Sequence, residues 1–250
     1  MSKPVAIRFA HVTKQYHLER ATSGGLKHLL LHLPKHLRAR ERRGVYALQD
    51  VSFEVYQGEC LSVIGRNGAG KSTTLGLIAG VLRPTSGSVE AHGRICPLLE
   101  LGAGFHFELT GRENIILNGV LLGLTYSEVR DQLEEIVAFS ELADFIDAPL
   151  RTYSSGMIAR LGFSVAVHLR PNILLVDEAL AVGDEAFQAK CLARIQQFRN
   201  AQITMVFVSH DMNSVARVSD RVALIEHGRL VDIGEPGRVI ARYQLRPAAA

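Results

Sequence analysis

The chain has 250 residues, of which 47% are apolar and 21% charged, with a net charge of +3. That composition excludes a disordered protein and leaves a globular chain long enough to bury a substantial core. No apolar run approaches the ~20 residues of a membrane span. Residues 1–10 carry no signal-peptide core, so the expectation is a protein kept in the cytoplasm.

Taken in order, residues 5–16 alternate apolar and polar side chains and predict a strand ending in Tyr16. Thr22-Ser23-Gly24-Gly25 breaks the pattern. Leu26, Leu29, Leu30, Leu33 and Leu37 then recur at helical spacing, with Pro34 expected to kink or split the helix. Residues 20–43 hold seven basic side chains against Glu41, a net +6, which leaves the rest of the chain at −3. Residues 26–43 therefore read as a basic amphipathic insertion. Such a segment fits a surface helix packed on its own domain or a helix lying on anionic lipid headgroups. After it, Val51, Phe53 and Val55 alternate with Ser52 and Glu54, predicting a second strand over 45–56 that pairs with the first.

Cys60-Leu61-Ser62-Val63-Ile64 is a short apolar run and predicts a buried strand. It leads into Gly65-Arg66-Asn67-Gly68-Ala69-Gly70-Lys71-Ser72, which fits G-x-x-x-x-G-K-[ST], the phosphate-binding loop of nucleoside triphosphatases. A helix is expected over 71–82. Strand, glycine turn and helix N-terminus together suit an anion. The glycines let backbone N–H groups point inward, and the helix start adds unpaired donors and partial positive charge. Lys71 supplies charge for the β- and γ-phosphates, and the Ser72 hydroxyl is a magnesium ligand.

A turn at 84–88 and a strand over 88–96 follow, then a glycine loop at Gly102-Ala103-Gly104. Thr110 and Glu113 stand at capping-box spacing and open a helix. Two more helices are expected over 127–146 and another over 157–169, so 105–170 reads as an inserted helical subdomain. The α/β pattern resumes with a strand over 173–176 that ends in Asp177-Glu178. A helix over 187–198 and a strand over 203–208, ending in Ser209-His210, come next. A hairpin around His227-Gly228 and a helix from Pro236 close the chain. Cys60, Cys96 and Cys191 are isolated and are expected to be buried free thiols.

Ligands of open α/β sheets sit at the carboxyl ends of strands. Three such ends here carry polar groups: the loop from Gly65, Asp177-Glu178, and Ser209-His210. Asp177 can hold magnesium through a water opposite Ser72. Glu178 would face the γ-phosphate and activate the attacking water. His210 could sense that phosphate.

The order of the loop, Tyr153-Ser154-Ser155-Gly156-Met157, the 173–178 strand and His210 resembles the nucleotide-binding subunit of an ABC transporter over nearly the whole chain. The resemblance implies a P-loop NTPase (RecA-like) α/β core over 5–104 and 171–245, an antiparallel β subdomain and the helical subdomain at 105–170. It implies a homodimer with two ATP molecules between subunits, using ATP and Mg2+. The cofactor-binding set is then Gly65, Arg66, Asn67, Gly68, Ala69, Gly70, Lys71, Ser72 and Thr73, with Tyr16 as the adenine-stacking aromatic and Tyr46 as the second choice. Ser154 and Gly156 match the family's signature peptide, and Asp184 matches the aspartate of its D-loop. Catalysis falls to Glu178, His210 and Lys71, and the metal to Ser72, Asp177 and Glu100. Glu100 stands in for a glutamine that the family has there and this chain lacks from Gly58 to Asp131.

The altered signature and the Leu-Glu-Leu-Gly-Ala-Gly-Phe-His stretch resemble one subgroup, the ATPase subunits of bacterial polysaccharide, O-antigen, capsule and teichoic acid exporters. The resemblance implies ATP-driven export of a capsule- or O-antigen-type polysaccharide through a separate integral membrane subunit. The chain would then sit peripherally on the cytoplasmic face of the inner membrane, with no nucleic-acid partner. The alternative is a soluble ABC-type ATPase acting on ribosomes or DNA. The single phosphate loop and the lack of extended heptads count against that alternative.

Overall fold

The computed structural model describes residues 3–17, 44–98, 102–168, 171–177 and 183–245. The basic insertion at 26–43, Glu100, Glu178 and Ala181-Val182 lie outside the described residues. No helix among the described residues is long and apolar enough to cross a membrane.

The first two strands, β1 (Val5–His17) and β2 (Gly44–Tyr56), pair antiparallel from Val5↔Tyr56 to His17↔Gly44. Next come β3 (Cys60–Ile64), helix α1 (Lys71–Ile78), β4 (Ser86–Ala91) and β5 (Ile95–Leu98). β4 adds to the free side of β1, giving a three-stranded sheet in the order β2-β1-β4. Helices α2 (Gly111–Leu121), α3 (Tyr126–Ser140) and α4 (Ser155–His168) follow before the chain returns as β6 (Ile173–Val176). After it come α5 (Glu185–Asn200), β7 (Thr204–Val208), α6 (Met212–Val218), β8 (Arg221–Glu226), β9 (Arg229–Gly234) and α7 (Pro236–Gln244). The second sheet has six strands in the order β5-β6-β7-β3-β8-β9, parallel except for β9.

Strands β3, β6 and β7 are buried at every residue because the sheet is covered on both faces. Their side chains alternate between two apolar clusters. Ile64, Leu174, Val176, Met205, Phe207 and Leu224 pack with α2 to α5 and α7. Leu61, Val63, Ile173, Leu175, Val206 and Ile225 pack with α1 and the three-stranded sheet. Each fully buried aliphatic or aromatic side chain contributes about 1.5–3 kcal/mol, so this two-sided sheet is the rigid frame on which the strand ends are displayed. Cys60, Cys96 and Cys191 are free and buried, and burial pushes each thiol up to about 12, leaving them protonated and inert.

Four local expectations change. The helix expected over 71–82 ends at Ile78, because Gly80 turns left-handed at φ 74 and Leu82 N donates back to the Gly76 carbonyl at 3.0 Å. The strand expected over 88–96 is two strands in different sheets, separated at Gly93, whose φ is 114. Residues 127–146 hold one α-helix, α3, and a 3-10 turn at Ala143–Phe145 instead of two helices. Helix α6 was not anticipated; it is short, and Asp211 caps it by accepting from Asn213 N at 3.0 Å and Ser214 N at 3.1 Å. The capping box opening α2 is present, with Thr110 N donating to Glu113 at 2.8 Å.

Candidate functional site

Register brings the three polar strand ends together. β7 lies between β6 and β3, with Val208 opposite Val63 and Phe207 opposite Val176. Parallel strands in that register end at one edge, so Gly65, Asp177 and His210 follow at the same side of the sheet. A cavity of about 590 Å³ opens there. It is lined by Asn67, Gly68, Gly70, Lys71, Ser72, Thr73, Asp177 and His210, and on the far side by Val45, Tyr46 and Ala47 of β2.

The loop is held from beneath. Gly65, Arg66 and Ala69 build it, with Ala69 N donating to the Arg66 carbonyl at 3.0 Å. Gly228, at the tip of the β8–β9 hairpin, donates to the Ala69 carbonyl at 3.1 Å and accepts from Gln49 N at 2.7 Å. The hairpin tip thus wedges between loop and β2. Gly70 sits at φ 111, and a Cβ there would lie 2.5 Å from the Ala47 carbonyl oxygen, so only glycine lets the loop press against β2. Around Gly68 no atom of the described residues lies within 4 Å of such a Cβ, so that part of the loop faces the cavity.

Lys71 is buried, its ammonium donating to the Gly65 carbonyl at 2.8 Å and the Arg66 carbonyl at 3.2 Å. Its charge is therefore fixed inside the curl of the loop. Helix α1 has no side-chain cap and no acidic residue in its first turn. Its first N–H groups are thus left for an anion. Ser72 and Asp177 line both this cavity and a second one of about 490 Å³, whose walls include Val81, Leu82, Pro97, Ala103, Asn118, Leu122 and Ala166. His210 is carried on a tight turn in which Asp211 N donates to Ser209 Oγ at 3.1 Å. A hydroxyl and a carboxylate facing a phosphate cradle are hard oxygen donors of the kind magnesium takes alongside phosphate oxygens.

Other expected residues stand elsewhere. Tyr16 does not line the cavity; Tyr46 does. The reason lies in strand order: β2 abuts the loop, whereas β1 is one strand further away and pairs Tyr16 with Val45. Ser154, Gly156 and Asp184 are not among the cavity's lining residues either. Ser154 Oγ accepts from Met157 N at 3.2 Å and so caps α4. Gly156, just inside α4, has only Ser154 Oγ, at 3.8 Å, near the position of an added Cβ among the described residues. Asp184 caps α5, accepting from Phe187 N at 2.9 Å.

Sequence reasoning missed the polar scaffold behind the second cavity. Asn114 is fully buried; its Oδ1 accepts from His106 N at 2.7 Å, and its Nδ2 donates to the carbonyls of His106, Leu109 and Thr110 at 2.9–3.1 Å. Asn118 donates to the Ala103 carbonyl at 2.8 Å. An asparagine on an apolar helix face was the available signal for both.

A parallel sheet presenting a phosphate loop beside Asp177 and His210 defines a P-loop nucleotide-binding protein. Residues 48–181 match the ABC transporter family model. The chain belongs to the ABC transporter family. It is 52% identical to the O-antigen export system ATP-binding protein RfbB of Klebsiella pneumoniae, over 95% of this chain and 97% of that protein. It is 39% identical to the teichoic acids export ATP-binding protein TagH of Listeria innocua, over 97% of this chain and 71% of that one. Among solved structures it superposes on a dimeric post-hydrolysis ATP-binding cassette bound to ADP and Pi with a TM-score of 0.71. That match has 22% identity and covers 92% of this chain and 98% of the other.

Proposed function

We infer that the chain is the ATP-hydrolysing subunit of an ABC exporter that moves a polysaccharide through a separate membrane subunit. The observation that carries the hydrolytic reading is the alignment of Gly65, Asp177 and His210 at one sheet edge around a cavity holding Lys71 and Ser72. Kinship to O-antigen and teichoic acid export proteins supports the polysaccharide class and disfavours the ribosome or DNA alternative.

In this reading the loop N–H groups, the α1 N-terminus and Lys71 bind the phosphates of ATP. Tyr46 flanks the same cavity and is the better-placed aromatic for the adenine. Ser72 and Asp177 would hold magnesium, which would supply positive charge to offset that of the phosphates. Glu178, next after Asp177, takes the proton of the attacking water, and His210 contacts the γ-phosphate. Gly156 supports a shared site. Among the described residues nothing of its own chain fills the space beside it, whereas a phosphate from a second copy would. A homodimer closing on two ATP molecules fits this arrangement, with Ser154 and the α4 N-terminus facing the partner's nucleotide.

The second cavity reaches Ser72 and Asp177 from between α2, α4 and the core sheet, which suits transmission of nucleotide state to a membrane partner. Fractionation tests the assignment. Co-expressed with a polytopic export subunit, the chain should sediment with membranes at the inner face. Sedimentation with ribosomes, or a fully soluble distribution, would support the alternative.

A further inference from the structure

Arg160 lies on α4, outside the cavity, and its guanidinium joins two other elements. Nε donates to the Ser140 carbonyl, at the end of α3, at 3.1 Å. The terminal nitrogens pair with Glu141 and with Asp184, the latter at 3.7 Å. The group also lies over the Phe187 ring, 4.7 Å from its centroid. Only 17% of the Arg160 side chain is exposed, so its guanidinium is held by its neighbours, while the Glu141 and Asp184 carboxylates stay open to solvent.

Each partner is itself fixed. Asp184 spends one carboxylate oxygen on the Phe187 amide that begins α5 and turns the other toward Arg160. Glu141 ends α3 in the left-handed region, at φ 56, and its other oxygen is held by Lys190 at 3.1 Å. Gly183 sits at φ 72; a Cβ there would lie 3.3 Å from both Arg160 Cγ and Phe187 Cβ, so the backbone entering α5 runs close along the arginine stem. Arg160 is thus the node where the end of α3, the body of α4 and the start of α5 meet.

Sequence position gives the node its meaning. Gly156 lies four residues before Arg160 on the same helix, and Asp184 lies six residues after Glu178. We propose that Arg160 is a positioning residue for ATP hydrolysis. It locks the Ser154–Gly156 start of α4 in register with Gly183-Asp184 at the start of α5, a few residues along the chain from Glu178. The proposal rests on the hydrolytic reading above. In the assembled dimer it ties what a subunit offers its partner's nucleotide to the carboxylate acting on its own. Lysine keeps the charge but lacks the planar fork that meets Ser140, Glu141 and Asp184 together.

The test uses Arg160→Gln, Arg160→Lys and their combinations with Asp184→Asn, measured for Tm, ATP affinity and steady-state turnover. A loss of register should lower kcat by roughly ten- to a hundredfold in Arg160→Gln. Arg160→Lys should retain part of the rate, while ATP affinity and KM stay within about twofold in both. The Asp184 combination should be non-additive in kcat, because both changes break one contact. Folded Arg160→Gln turning over at the wild-type rate overturns the proposal. So does a fall in kcat that merely tracks the fraction of folded protein. If Arg160→Gln does not fold, Arg160→Lys is judged by the same criteria. A wild-type chain that does not hydrolyse ATP at all would instead sink the hydrolytic reading, and this inference with it.

Discussion

Gly156→Asp separates the needs of the fold from those of a shared site. The backbone at Gly156 is not left-handed, and among the described residues the nearest atom to an added Cβ is Ser154 Oγ at 3.8 Å, which leaves room for a side chain. The position falls in the first turn of α4, where a carboxylate gains about 0.3–1 kcal/mol from the helix dipole. Stability should therefore change by no more than about 1 kcal/mol, or roughly 4 °C in Tm for a chain of this size. Binding of ATP by the isolated chain should also be unchanged, because Gly156 does not line the chain's own cavity. Hydrolysis is another matter. A carboxylate about 4 Å from a partner-bound phosphate costs about 4 kcal/mol at an effective dielectric near 20. Allowing for screening, turnover should fall by roughly 10²- to 10³-fold. The assays are thermal melting, equilibrium nucleotide binding and steady-state phosphate release on one preparation. A folded variant with turnover near wild type would refute the placement of Gly156 against a phosphate.

Further outcomes follow from particular contacts. Tyr46→Ala should raise KM for ATP by the ~1–3 kcal/mol of a lost base stack, roughly five- to 150-fold, while Tyr16→Ala stays within about twofold; the reverse pattern restores Tyr16 as the adenine platform. Asn114→Ala leaves the His106 amide without its acceptor, while the carbonyls of His106, Leu109 and Thr110 keep backbone donors, at a cost of about 1–3 kcal/mol and so roughly 2–12 °C in Tm. An unchanged melting curve would contradict the scaffold role of Asn114. Burial, chiefly, holds the His168 imidazole below its ordinary 6.5. Its contribution to stability is complete above that value and is lost as pH falls through the lowered folded value, because the unfolded chain takes up the proton first. Between about pH 7.5 and about pH 5.5, wild type should lose more Tm than His168→Leu; equal losses would argue against it.

Legibility in the sequence tracked how local each determinant is. The loop from Gly65 to Ser72 could be read because its chemistry, strand and helix are contiguous. The buried strands at 60–64 and 173–176 could be read because two-sided burial makes them continuous apolar runs. The split between β4 and β5 was not legible: their composition is continuous, and only tertiary pairing sends one to each sheet. Tyr16 and Tyr46 could not be separated by spacing, since the choice depends on which strand abuts the loop. Arg160 acts through partners 19 to 27 residues away, and Asn114 through backbone groups of the loop before its helix, neither of which a periodicity signal reports.

The central claim is that one sheet edge both binds and hydrolyses ATP, with binding and chemistry assigned to different residues. Side-by-side measurement of ATP affinity and turnover in Lys71→Ala and Glu178→Gln tests it most directly. Lys71→Ala should lose nucleotide binding. Glu178→Gln should bind ATP as wild type does, remain dimeric with ATP bound, and hydrolyse it roughly 10²- to 10⁴-fold more slowly. Wild-type turnover in Glu178→Gln, or undiminished ATP binding in Lys71→Ala, would contradict the account.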